Sequence, residues 1–132
     1  MDLEILNIAS DTDNNRNIKK HTHFSKLKNS LCGDEIQIKL IIKEDKIIDF
    51  AYQEKSCIYC KASISLLSKI SINNKKTEMN KLCDHAKDFF DENSDSFAIN
   101  SKSFKKLFKK KNISRKDCIL LPFKTLKKIV SN

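Results

Sequence analysis

The chain has 132 residues, a net charge of +9 and apolar side chains at only 39% of its positions. This length is enough for one folded domain with a modest core and too short for two ordinary domains. No apolar run is long enough for a membrane span and no secretory signal is recognisable, so the sequence predicts a cytoplasmic protein. We expect residues 1–132 to form a single domain, in which residues 1–30 are an N-terminal helix and arm.

The positive charge is compatible with nucleic-acid binding, because basic side chains neutralise phosphates. However, Arg16 and Arg115 are the only arginines among the 26 basic residues, whereas base recognition and bidentate phosphate contacts favour arginine. The abundance of lysine, isoleucine and asparagine is typical of an AT-rich genome. We therefore interpret the charge mainly as a solvated surface, and keep a Lys-rich nucleic-acid-binding module over residues 102–116 as a less favoured alternative.

The first half of the chain predicts a short helix and then a β-hairpin. Apolar residues in the segment 3–9 indicate an amphipathic helix that ends at the polar stretch 11–15. Apolar and polar residues then alternate over residues 36–42 and again over residues 48–52. A polar turn at residues 44–46 separates the two strands, so we expect an antiparallel hairpin with one buried face.

The second half of the chain predicts helices. Apolar residues recur at helical spacing over residues 58–70 and 79–90, and a further short helix starts near Ser101 or Ser103. These helices, added to the hairpin, predict the α+β class, with a small antiparallel sheet covered by helices on one face.

Pro122 determines where we expect the last helix to begin. A helix that began at Ser114 would hold this proline in its interior, at a cost of about 3 kcal/mol. We therefore expect a turn through Cys118 and a helix that starts close to Pro122.

Five cysteines in a chain without an export signal favour metal binding or thiol chemistry over disulfides. Cys32 precedes the first hairpin strand, Cys57 follows the second, and Cys118 precedes the last helix. The hairpin brings the first two thiols to the same edge of the sheet, and a helix N-terminus after Cys57 favours a thiolate. With Asp34 as an oxygen donor, three thiolates suit zinc or iron in a labile cluster. The alternative is that each cysteine is a small buried apolar residue.

Other residues near these cysteines lead to further expectations. Gly33 is the only glycine in the chain, and we expect it to allow an unusual backbone angle or the close approach of another group. Asp34 precedes the first strand, and we expect it at the rim of the pocket. Cys60 and Cys83 are expected in the core, Cys60 beside Ala62 and Cys83 on an apolar helix face.

Short motifs surround the three junction cysteines. They are Asn29-Ser30-Leu31-Cys32-Gly33-Asp34, Cys57-Ile58-Tyr59-Cys60-Lys61-Ala62-Ser63 and Arg115-Lys116-Asp117-Cys118-Ile119-Leu120-Leu121-Pro122-Phe123. In this order they resemble the three cysteine motifs of the NifU/IscU/SufU family of iron-sulfur cluster assembly scaffolds. The resemblance covers nearly the whole chain.

The resemblance implies a role for each matching residue. Cys32, Cys57 and Cys118 would bind iron, zinc or a transient iron-sulfur cluster, and Asp34 would be the weak ligand that allows the cluster to leave. Cys118 is the candidate to accept a persulfide sulfur. The implied partners are a cysteine desulfurase and apo iron-sulfur acceptor proteins, and the implied role is a scaffold rather than a conventional enzyme.

The sequence departs from the family pattern at identifiable positions. Asp117 stands where the family usually has His or Lys, Ser30 replaces a proline, and Ser56 replaces a glycine. The segment between Cys57 and Cys118 is longer than in the IscU branch and resembles the extended SufU branch. This similarity supports a second interpretation, a zinc-bound sulfurtransferase partner of a cysteine desulfurase.

Overall fold

The structure is a computed structural model that describes residues 3–91 and 102–131. A short helix precedes three strands, and the remaining helices follow the sheet. The elements are α1 (Leu3–Ala9), β1 (His23–Lys28), β2 (Glu35–Lys43), β3 (Lys46–Lys55), α2 (Ile58–Ser71), α3 (Lys76–Asp91), α4 (Lys102–Leu107), a 3₁₀ helix (Lys110–Arg115) and α5 (Lys116–Val130). The predicted α+β architecture is confirmed.

The strands form one antiparallel sheet in the order β1-β2-β3. The predicted hairpin is the β2–β3 pair, and its two-residue turn is made by Glu44 and Asp45, both with positive φ (51° and 62°). A turn with positive φ at both central residues matches the twist of the two strands. The inward positions of β2 and β3 form one buried apolar face, made of Ile36, Ile38, Leu40, Ile47, Phe50 and Tyr52.

Strand β1 and the segment before it were not predicted as part of the sheet. Strand β1 pairs with β2 along its whole length, from His23 opposite Leu40 to Lys28 opposite Glu35. Residues 10–22 connect α1 to β1, and part of this segment lies along the edge of β3, where the Tyr52 N–H donates to the carbonyl oxygen of Asn14 at 3.0 Å. In this segment the Asn17 side chain accepts a hydrogen bond from Lys39 Nζ at 2.7 Å. The arm therefore helps to cover the sheet.

Helices α2 and α5 contact the helix-covered face of the sheet, and α3 packs against α5. The two predicted central helices are α2 and α3, and the short helix is α4, which begins at Lys102; Ser101 lies outside the described residues. Aromatic rings join α3, α4 and α5 by edge and tilted contacts, in a cluster of Phe89, Phe90, Phe104, Phe108 and Phe123. None of the helices within residues 3–91 and 102–131 combines the length and apolar character needed to span a membrane.

The predicted start of the last helix is wrong. Helix α5 begins at Lys116, so Cys118 lies in its first turn and Pro122 lies inside the helix. The local cost of an interior proline is outweighed by burial, since most side chains of α5 lie in the core. The buried set includes Ile119, Leu120, Leu121, Phe123, Leu126, Ile129 and Val130.

Candidate metal centre

The loop that joins β1 to β2 is closed by hydrogen bonds of Asn29. Its N–H donates to the carbonyl oxygen of Asp34 at 2.7 Å, and its own carbonyl accepts from the Gly33 N–H at 2.7 Å. Its side-chain oxygen accepts from the Leu31 N–H at 2.9 Å. The loop presents Cys32 to solvent and turns Asp34 inward, so that Asp34 is only 7% exposed. The expectation that Asp34 lies at an open rim is therefore wrong.

Gly33 adopts a φ of +79°, the left-handed region that residues with a Cβ rarely adopt. A Cβ at this position would have no neighbouring atom within 4 Å. The unusual backbone angle expected of Gly33 is confirmed. The backbone angle allows the chain to reverse between Cys32 and Asp34.

Cys57 is the N-cap residue of α2, with extended backbone angles (φ −73°, ψ 169°). Its N–H donates a hydrogen bond to Oδ1 of Asp34 at 3.2 Å. Its carbonyl accepts the first helical hydrogen bond, from the Lys61 N–H at 2.9 Å. The start of α2 is therefore connected to the loop that carries Cys32.

Cys118 faces the same region from the first turn of α5 and is 8% exposed. Burial raises the pKa of its thiol, and the neighbouring Cys57 side chain raises that pKa further. Negative charge on Asp34 and Cys32 acts in the same direction. Thiols and a carboxylate crowded together in this way favour protonated sulfur unless a cation compensates their charge.

The structure brings three of the four sequence-predicted site residues into one cluster. The Sγ atoms of Cys32 and Cys118 and a carboxylate oxygen of Asp34 all lie within 4.8 Å of one another. Cys57 is not one of these three mutually close groups, but its N–H donates a hydrogen bond to Asp34.

The second oxygen of Asp34 indicates what the cluster can hold. Oδ2 is buried, and it has no hydrogen-bond donor among residues 3–91 and 102–131. A buried carboxylate oxygen without a partner is costly, and such atoms are usually paired with a donor or a cation. Thiolate sulfurs with one carboxylate oxygen form a donor set that fits tetrahedral zinc or iron. The residues therefore fit a divalent metal.

The remaining cysteines do not join this cluster. Cys60 is fully buried, and burial raises the pKa of its thiol. Burial also raises the pKa of Cys83 in α3 to about 12. Both thiols are protonated at neutral pH, and their predicted core positions are confirmed.

Asp117 directly precedes Cys118 but is not one of the three mutually close donor groups. It lines a neighbouring surface pocket of about 340 Å³, together with Leu31, Leu121 and Lys124. On the other side, the Arg115 guanidinium lies 5.5 Å from the ring centroid of Tyr59.

Two residues with structural roles at the cluster were not singled out from the sequence. Asn29 closes the first loop, and the Ser63 hydroxyl donates to the carbonyl oxygen of Ile119 at 2.6 Å. Both lie in the quoted motifs, so the available signal was a polar side chain next to a predicted ligand.

Comparison with known proteins identifies the family and the fold. Residues 4–92 match the family model described as the NifU-like N-terminal domain, which is more than half of the chain. The chain belongs to this family. The match includes Cys32, Asp34 and Cys57, whereas Cys118 lies beyond it.

Proteins similar to this chain extend the comparison beyond residue 92. An uncharacterised protein of Borreliella burgdorferi is 32% identical over 86% of this chain and 79% of its own length. Among solved structures, a candidate iron-sulfur cluster assembly scaffold for the SUF system of Fervidobacterium islandicum has a TM-score of 0.86 at 22% identity, covering 96% of this chain and 93% of its own. The N-terminal part of a NifU-like protein from Brucella abortus also has a TM-score of 0.86, at 19% identity, covering 98% and 91%. The fold is that of SufU and NifU N-terminal scaffold proteins.

Proposed function

We propose that this protein is an iron-sulfur cluster assembly scaffold that receives sulfur from a cysteine desulfurase and holds iron or a nascent cluster for acceptor proteins. Cys32, Asp34, Cys57 and Cys118 are the proposed ligands. The observation that supports this most directly is the cluster of a carboxylate oxygen of Asp34 with the sulfurs of Cys32 and Cys118, mutually within 4.8 Å. In addition, Oδ2 of Asp34 is buried without a hydrogen-bond partner in the part of the chain that the structure describes. Membership of the NifU-like family supports the same function.

The different exposure of the thiols suggests an order for sulfur transfer. Cys32 is exposed, whereas Cys118 is buried. The Cys32 thiolate would attack the terminal sulfur of the desulfurase persulfide, forming a new S–S bond while the original S–S bond breaks and the desulfurase thiolate leaves. This exchange needs no outside oxidant or reductant. Cys118, whose sulfur lies within 4.8 Å of that of Cys32, can then attack the outer sulfur of the Cys32 persulfide. The new S–S bond forms at Cys118 as the bond to Cys32 breaks, and the leaving Cys32 thiolate takes up the proton that the Cys118 thiol gives up.

Asp34 contributes a hard oxygen among soft sulfur donors. Iron and its clusters prefer thiolate over carboxylate, so the bond to Asp34 is expected to be the first to break. Its Oδ1 atom already accepts the Cys57 N–H, which fixes the carboxylate and leaves Oδ2 for the cargo. We propose that Asp34 makes the cluster releasable.

The second candidate is a zinc-bound sulfurtransferase partner of a cysteine desulfurase. The tetrahedral donor set of three thiolates and one carboxylate suits zinc as well as iron. The similarity of fold to a SUF-system protein favours keeping this alternative. Bound zinc would keep the coordinated thiols deprotonated. The proposed ligands are the same in both cases, so the metal content distinguishes them.

The test is metal analysis of the protein purified without oxygen, followed by incubation with iron, cysteine and a pyridoxal-phosphate cysteine desulfurase. The scaffold function predicts iron and sulfide in the protein, visible absorption, and transfer to an apo iron-sulfur acceptor. The zinc alternative predicts zinc that resists replacement, no chromophore, and faster turnover of the desulfurase. Protein that acquires neither metal and leaves the desulfurase unchanged would contradict both functions.

A further inference from the structure

The helices that carry Cys57 and Cys118 are joined by one buried side-chain hydrogen bond. Ser63, less than two turns after Cys57 along α2, is fully buried. Its hydroxyl donates to the carbonyl oxygen of Ile119 at 2.6 Å, and Ile119 directly follows Cys118. This contact connects the helix that begins after Cys57 to the backbone that carries Cys118.

Pro122 gives this contact its importance. In an α-helix the N–H of residue 122 would donate to the carbonyl of residue 118, but proline has no N–H. The backbone at Cys118 therefore lacks one of the hydrogen bonds that normally restrain a helix, and prolines commonly bend helices at such points. A donor from another helix at the adjacent carbonyl restrains the segment from outside.

The other buried serines of α2 do not make such a contact with α5. Ser71 donates to the carbonyl of Leu67 at 2.7 Å and Ser68 to that of Ser65 at 2.7 Å, both within the same helix. Ser65 donates to Asp11 of the arm at 2.8 Å. Ser71 is therefore a matched control, because it is equally buried and donates to a carbonyl at nearly the same distance.

We propose that Ser63 is a positioning residue that holds the Cys118 thiol in the cluster with Cys32 and Asp34. It does so through the carbonyl of Ile119 and does not touch the cargo. The metal-binding consequence rests on the proposed function, whereas the effect on Cys118 itself does not.

The first measurement uses metal-free protein. Native samples of wild type, Ser63→Ala and Ser71→Ala are treated with iodoacetamide, and modification of each cysteine is followed by mass spectrometry. We expect Ser63→Ala to raise the rate of Cys118 modification about fivefold. Local opening of this segment should become more frequent by about that factor when one restraining hydrogen bond is lost. Ser71→Ala should leave the rate at Cys118 near that of wild type.

Cys83 reports on global unfolding in the same samples, because it is buried in α3 away from the cluster. A selective rise at Cys118 supports the proposal. A parallel rise at Cys83 and Cys118 in Ser63→Ala means that the substitution only destabilises the fold and would overturn it, as would equal rates at Cys118 in the two variants.

The second measurement is zinc affinity, determined by competition with a chromophoric chelator. Ser63→Ala should bind zinc about tenfold more weakly, as is typical when a group that orients a ligand is removed, while Ser71→Ala should match wild type. Unchanged zinc affinity in Ser63→Ala, with zinc bound normally by wild type, contradicts the proposal. If wild type binds neither zinc nor iron, the proposed function fails, and the alkylation rates alone decide the role of Ser63.

Discussion

The Cys57 N–H donates a hydrogen bond to Oδ1 of Asp34, and this contact assigns different tasks to the two oxygens of the carboxylate. Oδ1 connects the β1–β2 loop to the first residue of α2. Oδ2 is buried and has no donor among residues 3–91 and 102–131. One side chain therefore serves the fold through one atom and is available to a cation through the other, which makes the two roles separable by mutation.

Replacing Asp34 by asparagine should separate these roles. The amide oxygen can still accept the Cys57 N–H, while the buried negative charge is lost, so the metal-free variant should be as stable as wild type or up to about 1 kcal/mol more stable. Zinc affinity should fall by more than about 100-fold. Replacing a residue that only supports a metal ligand typically weakens binding by about 10- to 100-fold, and losing a ligand itself should cost more. Urea unfolding and chelator competition measure the two quantities. Equal zinc affinity in the variant and wild type would remove Asp34 from the site.

Replacing Asp34 by alanine should add a cost to stability. Alanine offers no acceptor to the Cys57 N–H, so the metal-free protein should lose about 1.5 kcal/mol relative to the asparagine variant. If a cluster still assembles on Asp34→Ala, we expect slower transfer to an apo-acceptor, because every remaining protein ligand is a thiolate, which leaves iron less readily than a carboxylate does. Transfer is followed by the acceptor's visible absorption. Transfer as fast as in wild type would contradict the release role of Asp34.

The cysteines offer a matched pair for testing the site. Cys57→Ser should prevent the protein from retaining a reconstituted cluster, because serine is a poor donor for iron in this setting. Cys83→Ala should retain wild-type metal content and lose about 1 kcal/mol of stability, since it only removes a buried sulfur. Metal content and urea unfolding are measured on both variants. Loss of metal in both would indicate a general effect of folding.

Substitutions of Gly33 test the cost of its backbone angle alone, because an added Cβ would not overlap with other protein atoms. With a φ of +79° and open space around a Cβ, Gly33→Ala should cost about 1 kcal/mol and Gly33→Asn less, because asparagine tolerates this conformation better. Urea unfolding of the metal-free variants gives the ranking. If the larger side chain is the more destabilising of the two, steric contact rather than the backbone angle controls this position.

The arm should be held in a pH-dependent way by Arg16 and Asp49. A side-chain hydrogen bond from Arg16, with Oδ1 at 2.5 Å, is the main cause that lowers the pKa of Asp49 in the folded protein. The pair therefore stabilises the fold above the unfolded Asp pKa of about 3.9, and this contribution disappears as pH falls through the lower folded pKa.

Arg16→Gln measures that contribution. It should lose no more than about 1 kcal/mol near neutral pH, because both side chains are partly exposed, and lose less in acid. The control is Lys81→Gln, which removes an exposed pair with Glu78 and should change stability little at either pH. Urea unfolding at the two pH values provides the comparison. If Arg16→Gln loses more stability in acid than near neutral pH, the predicted pH dependence is wrong.

The strands of the sheet differ in whether their own sequence predicts them. Strands β2 and β3 are predictable because Ile36, Ile38 and Leu40 alternate with polar residues and all face the core. Strand β1 has no such pattern, since its inward positions hold Ser25 and Leu27 while Phe24 faces outward and is 49% exposed. This strand exists because β2 offers it backbone hydrogen-bonding partners, which the sequence of β1 alone does not reveal.

The start of α5 shows the limit of a strong local rule. Pro122 correctly signals a weakened helix, but the rule weighs only the backbone. The burial of both Ile119 and Phe123 beside it depends on α2, α3 and the sheet being assembled around α5. Tertiary packing therefore decides that the helix extends back through Cys118.

The sequence by itself determined the kinds of donor, their order and their places at the ends of secondary-structure elements. Motif residues around Cys32, Cys57 and Cys118 were sufficient to indicate the family, because loops that carry ligands constrain residue type over short stretches. Only the tertiary structure decided that Asp34 is buried and bonded to Cys57, and that Ser63 restrains Ile119. These contacts join segments far apart in the chain, so their energies depend on positions that no local pattern specifies.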